Sequence, residues 1–323
     1  MPNWKDVLDQ IQQLRAQAAL AAQQATQTGQ QAVDLVRRSY LAQLHQHTGR
    51  NIIAYYSGFL SKPEIAGVEL TDEDKNGFMM AVHKLDRSKG LDLILHTPGG
   101  DIAATESLVD YLRKMFGKNI RAIVPQIAMS AGAMVACSCR EIIMTRHANL
   151  GPIDPHLHGR PAYGVIAEFK RALREIKKDP VSVAIWQPII SQYPPTYLSR
   201  CENAISWSNQ FVKRQLKTVM FDGDPEASKK SESVVRKLTD YRGNRSHNRH
   251  IHFDECVRIG LRVSLAESDQ ALQDLVLTVH HCYMHTLMNT PAFKIVENHL
   301  GHALMKAQQQ QIIQIPANVV PGT

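Results

Sequence analysis

Cysteine is scarce in this chain, with five residues in 323: Cys137, Cys139, Cys201, Cys256 and Cys282. An odd number at scattered spacing excludes a disulfide framework. No basic-then-apolar signal segment opens the sequence either, so a reduced, cytoplasmic setting is expected. Glycine (18) and proline (15) are sparse, while 44% of the chain is apolar and 21% charged, a balance that excludes wholesale disorder. Internal repeats are lacking. Long hydrophobic runs are lacking too, with one exception: residues 122–139 carry no charge over eighteen positions, the length at which a membrane span must be considered. Pro125, Gln126, Ser130, Gly132 and Ser138 interrupt that stretch, so a buried strand, turn and helix is expected there, and no membrane partner. Charge excess is small: Lys+Arg 37 against Asp+Glu 30 gives +7. Much of it gathers at Lys229, Lys230, Arg236, Lys237, Arg242, Arg245 and Arg249, where Tyr241 is the sole aromatic. That pattern disfavours nucleic acid and leaves a solvated face or a loop that meets an acidic partner.

What is present suffices for one large domain or two modest ones. Residues 1–47 are rich in Ala and Gln and predict helix. Small or apolar residues recur at Trp4, Val7, Ile11, Leu14, Ala18, Ala21, Ala25, Ala32 and Leu35, a heptad-like seam for a helix laid on its own domain or for self-association. From Asn51 short apolar runs alternate with helical segments: 51–56, 74–85, 91–96, 102–116 closed by Gly117, 120–124, a helix from near Ser130, and 141–145. Strand, helix, strand repeated with short links implies a parallel sheet with crossover helices. Farther on, helix is expected over 197–220, a polar loop over 222–230, a short helix over 254–263 closed by Gly260, and helices over 269–288 and near 293–306. The main domain is thus 51–306 with a helical insertion at about 180–245, followed by a frayed tail over 307–323.

Strand ends of a parallel sheet are where sites are built. Thr97-Pro-Gly-Gly-Asp101 follows one strand and precedes a helix, so main-chain amides can approach a substrate there; its spacing matches neither a dinucleotide loop nor a phosphate loop. Ser130 lies among small residues at a helix start, a placement that suits either a nucleophile or a simple N-cap, and it is not in a Gly-x-Ser-x-Gly elbow.

Taken together, residues 93–101 (LILHTPGGD), 129–133 (MSAGA), 141–144 (EIIM) and 149–153 (NLGPI) resemble the Clp and signal-peptide-peptidase-A serine proteases of the Clp/crotonase fold. The wording around HTPGGDIAATES, AMSAGAM, NLGPIDP and WQPI with YPP is most similar to the serine dehydrogenase proteinases, and the likeness runs from about Asn51 to Glu297. The resemblance implies an α/β Clp/crotonase-like fold of βαβ units, with the N-terminal helix and further C-terminal helices added. It also implies a cofactor-independent peptidase acting on polypeptide as a homo-oligomer. Ser130 matches the family nucleophile, and the amides of Gly99 or Gly100 and of Ala131 match its oxyanion hole. The Clp histidine position falls on Pro155, between Asp154 and His156. The Clp aspartate position falls on Asn248, beside His247, and an amide cannot serve as a carboxylate. The lysine base of signal-peptide-peptidase-like enzymes falls near Lys170, Lys177 and Lys178, and such a lysine must be desolvated to work. His156, His247 and Lys170 therefore remain candidate bases. Two other readings stay open: a Clp-fold scaffold that has lost its base, and a crotonase-type acyl-CoA enzyme.

His281 and His285 form an i, i+4 pair without a third ligand at telling distance, so no metal is expected there. Cys137 and Cys139 point to different faces of one helix and read as small buried residues.

Overall fold

The computed structural model describes residues 4–21 and 27–308. Every residue of strand β1 (Asn51–Ser57) and strand β2 (Leu91–His96) is buried, as strands covered on both faces must be. Ile53 and Tyr55 of β1 pack into one core with Leu91, Leu93 and Leu95 of β2, while Ile52, Ala54 and Tyr56 pack into the opposite core with Ile94. The period of two thus divides each continuous apolar run between two layers.

On the near layer lie α3 (Asp74–Val82), α4 (Ile102–Phe116) and α5 (Ala131–Cys137); on the far layer lie α1 (Trp4–Ala21) and α2 (Gln27–Thr48). Asp101 caps α4 by accepting from the Ala104 amide, and Gly117 closes it at φ +61°. The charge-free stretch resolves into β3 (Ile120–Val124), β4 (Ile127–Ala128) and α5, and no described helix is long and apolar enough to cross a membrane. Next come β5 (Glu141–Met144), β6 (Asn149–Leu150) and a hairpin of β7 (His156–Leu157) with β8 (Arg160–Pro161). Then follow α6 (Ala162–Lys178), α7 (Val183–Ile190), α8 (Tyr197–Gln215) with a π turn to Met220, α9 (Ala227–Leu238) and α10 (Tyr241–Asn244). The chain finishes with β9 (Ile251–His252), α11 (Phe253–Ile259), β10 (Val263–Leu265), α12 (Gln270–Asn289), β11 (Ala292–Asn298) and β12 (Ala303–Ala307).

The main sheet has the order β10-β5-β3-β2-β1-β11-β12, parallel from β10 to β1. A small second sheet, β4-β6-β9, stands at its C-terminal edge. The chain belongs to the α/β class expected from its alternating segments.

Two expectations are corrected. The helix expected near 293–306 is the hairpin β11–β12, because β11 completes the otherwise open edge of β1 in antiparallel register and Gly301, at φ +84°, makes the turn. The polar loop expected over 222–230 is partly helical, since α9 begins at Ala227. The helices of the insertion pack on the main sheet, where Phe211, Val212 and Leu216 of the α8 region and Val234, Val235 and Leu238 of α9 share its core.

Residues 4–21 and 27–48 form two helices, and Val7, Ile11, Val36, Leu41 and Leu44 are buried against α12 and the sheet, whereas seam residue Leu35 is 61% exposed. Of the expected tail, residues 309–323 lie outside the described residues, as do seam position Ala25 and its neighbours. All five cysteines are free and buried, and burial pushes the Cys139 and Cys256 thiols up to about 12.

Candidate active site

Ser130 sits between β4 and α5 at φ +48°, ψ −114°, a strained conformation for a residue bearing a side chain. Its hydroxyl does not cap α5, so the simple N-cap role is excluded. Only glycine fits beside it: a Cβ on Gly99, which has φ +107°, would stand 2.6 Å from the Ser130 Cβ and 3.1 Å from the Ala131 nitrogen. Gly100 is equally constrained, because a Cβ there would land on the Leu70 backbone.

The Gly-Gly loop is fastened from both sides. Leu70 donates to the Gly99 carbonyl (2.7 Å) and accepts from the Asp101 amide (3.0 Å); Met129 donates to the Thr97 carbonyl (3.0 Å). Gly99 N–H donates to Thr97 Oγ1 at 3.2 Å. No hydrogen bond among the described residues engages the amides of Gly100 and Ala131, and the latter is an orphan donor by its place in the first turn of α5. The Gly-Gly loop thus abuts Ser130 and the Ala131 nitrogen.

The second half of the site comes from the small sheet. β4 and β6 run parallel, and β9 runs antiparallel to β6, with Ala128 opposite Leu150 and Leu150 opposite Ile251. Ser130 just beyond β4, Asp154 just beyond β6 and His247 just before β9 thus emerge at the same end of that sheet. Gly151 keeps the first two segments close, since a Cβ on it would meet Met129 atoms at 2.8–3.0 Å.

Asp154 is buried, 2% exposed. Its Oδ1 accepts from His247 Nδ1 at 2.9 Å, and its Oδ2 lies 3.4 Å from His156 Nε2. The two imidazoles are in tilted contact, with centroids 4.1 Å apart and planes inclined by 35°. Burial pushes the Asp154 carboxyl up, but the hydrogen bonds from His156 and His247 outweigh it and hold the group below the usual carboxylate range. Ligand atoms of all three residues lie within 4.8 Å of one another, close enough to share a metal ion.

Asp154 thus stands next to Pro155, with His156 on the other side of that proline, and His247 stands next to Asn248. Spacing alone missed this pairing, because each residue looks misplaced until both are seen together. Asn248, at the aspartate position itself, is exposed.

Lys170 is corrected as a base candidate. It is exposed on α6, so it lacks the desolvation that would free its lone pair. It lines a groove of about 1010 Å³ between α6, α8, α9 and α10, together with Arg174, Lys213, Arg236 and Arg242. His285 is buried within α12, with His281 one turn earlier.

The mostly parallel sheet with its crossover helices, carrying Ser130 and the His247–Asp154 pair at one end of the small sheet, fits a ClpP-like α/β fold. The family of ClpP-like SDH-type serine proteinases matches residues 23–311, and the chain belongs to it. Two uncharacterized proteins of Methanocaldococcus jannaschii are similar. MJ1495 is 26% identical over 60% of this chain and 59% of its own length; MJ0137 is 29% identical over 60% of each. The chain thus spans about 60% of the length of these curated relatives.

Proposed function

We propose that this protein is a peptidase that cleaves polypeptide through an acyl-enzyme on Ser130. His247 is the general base, Asp154 orients it, and the Gly100 and Ala131 amides receive the oxyanion. The observation that carries the reading is the 2.9 Å bond from His247 Nδ1 to a buried carboxylate at the sheet end that also bears Ser130. A neutral imidazole that donates from Nδ1 offers its lone pair at Nε2. Nε2 accepts the Ser130 Oγ proton as Oγ bonds to the scissile carbonyl carbon, and the carbonyl electron pair moves onto oxygen. The imidazolium, stabilised by ionised Asp154, returns that proton to the leaving amine as the C–N bond breaks. Water then repeats the cycle and frees the acid product. His156, on the second carboxylate oxygen, helps hold Asp154 ionised.

Fluorophosphonate labelling of the full chain tests the reading. An adduct on Ser130 is expected, absent in Ser130→Ala and slowed in His247→Ala. Labelling that does not depend on Ser130 overturns it, and tight coenzyme A binding in a calorimeter would favour the thioester chemistry instead.

A further inference from the structure

We propose that the Asp154–His156–His247 cluster is also a reversible site for a zinc-class divalent cation, and that filling it switches the peptidase off. His247 Nδ1, His156 Nε2 and a carboxylate oxygen of Asp154 form a mixed nitrogen and oxygen donor set whose ligand atoms lie within 4.8 Å. Asp154 reaches the two ring nitrogens through different oxygens, Oδ1 to His247 Nδ1 at 2.9 Å and Oδ2 to His156 Nε2 at 3.4 Å, each close to the roughly 3.3 Å ligand–ligand edge of a tetrahedron with metal–ligand bonds of about 2.0–2.1 Å. The two rings already lie in contact beside the carboxylate, with centroids 4.1 Å apart. Asp154 is fixed in the interior, whereas the His156 and His247 side chains are 28% and 21% exposed, so a hydrated cation has an open approach and water can complete the coordination. Two imidazoles with one carboxylate suit zinc better than calcium or magnesium, which favour all-oxygen sites.

Inhibition follows from proton placement and rests on the acyl-enzyme reading; cation binding does not. A neutral imidazole holds a single ring proton. While Nδ1 carries it toward Asp154, Nε2 is an acceptor. When Nδ1 gives its lone pair to the cation, the proton resides on Nε2, and that nitrogen can no longer take the Ser130 proton. No proton is gained or lost by the ring; its tautomer changes.

The test is calorimetric titration of metal-stripped full-length protein with zinc chloride, paired with fluorophosphonate labelling rates. One zinc per chain is expected, unchanged in Ser130→Ala and weakened at least about tenfold in His156→Ala and His247→Ala. His156→Gln, checked for a native circular dichroism spectrum, covers the case in which the alanine variant misfolds. Full affinity in every folded histidine variant, or no binding to the wild type, overturns the site. If zinc binds as expected but leaves the Ser130 labelling rate unchanged, the switch is overturned and the site stands. If Ser130 does not label even without zinc, the peptidase reading has failed while the titration still decides the site.

Discussion

Two buried carboxylates in this fold have opposite surroundings. Glu297, on β11, is saturated: it accepts from Arg37 Nε (2.6 Å) and Nη2 (3.2 Å), from Arg38 Nε (2.8 Å) and from Tyr283 OH (3.0 Å). Arg37 is itself fully buried and also reaches Asp34 and Thr286. Burial pushes the Glu297 carboxyl up, yet the charge of Arg37 and the hydrogen bonds hold it below its ordinary range. Asp154 meets two imidazoles, each with a second nitrogen unspent and partly open to solvent. Permanent, fully satisfied charge pins the N-terminal helix α2 to the sheet; a carboxylate paired with titratable, partly solvated rings can pass a proton or exchange ligands.

The sharpest way to break the contrast is to neutralise each carboxylate. Asp154→Asn should slow Ser130 labelling by a factor on the order of 10³–10⁴ with little change in melting temperature, because the imidazole is left in the wrong tautomer. Glu297→Ala should do the reverse, leaving labelling per folded molecule intact while costing about 3–5 kcal/mol in urea unfolding, since Arg37 stays buried without its partner. If the two variants behave alike, the distinction between the sites fails.

Acid sharpens the contrast further, because the far layer also buries neutral histidines. Burial lowers His96 to about 4, against partial compensation from Gln126 and the Ser57 carbonyl, and burial with neighbouring histidines lowers His280 as well. Between pH 4 and the ordinary value of 6.5 the unfolded chain binds more protons than the folded one. Stability is therefore complete above pH 6.5 and falls as pH drops toward 4, by about 3 kcal/mol for His96 alone. Chemical denaturation at a series of pH values reads this directly, and a flat profile would contradict it. Gly99→Ala should cost about 1–3 kcal/mol from its left-handed φ and also depress labelling, since its Cβ collides with Ser130. Lys170→Ala should move stability by less than about 0.5 kcal/mol and leave the labelling rate within error, as befits an exposed groove residue.

Residues 51–145 show how far local pattern reaches. Apolar runs, three-to-four spacing and Gly117 announce β1, β2, α4, β3 and β5 because each element's signal lies within its own residues. Phe293 to Lys306 shows where it stops. Its apolar spacing suits a helix, yet the unfilled edge of β1, a partner more than two hundred residues away, makes it a hairpin. The site divides along the same line. Ser130 and the two glycines are readable because a strand-to-helix corner is built from adjacent residues.

The proposed base is not readable in that way. Asp154 and His247 lie on segments brought together by the pairing of β6 with β9, and 93 positions of sequence separate the two residues, so no local signal announces their contact. Residue type and short-range spacing thus specify the sheet, its crossover helices and the Ser130 corner, since those depend on neighbours along the chain. The Asp154–His247 pairing, the exposure of Lys170 and the saturation of Glu297 arise from burial and long-range strand pairing, which exist only in the folded chain.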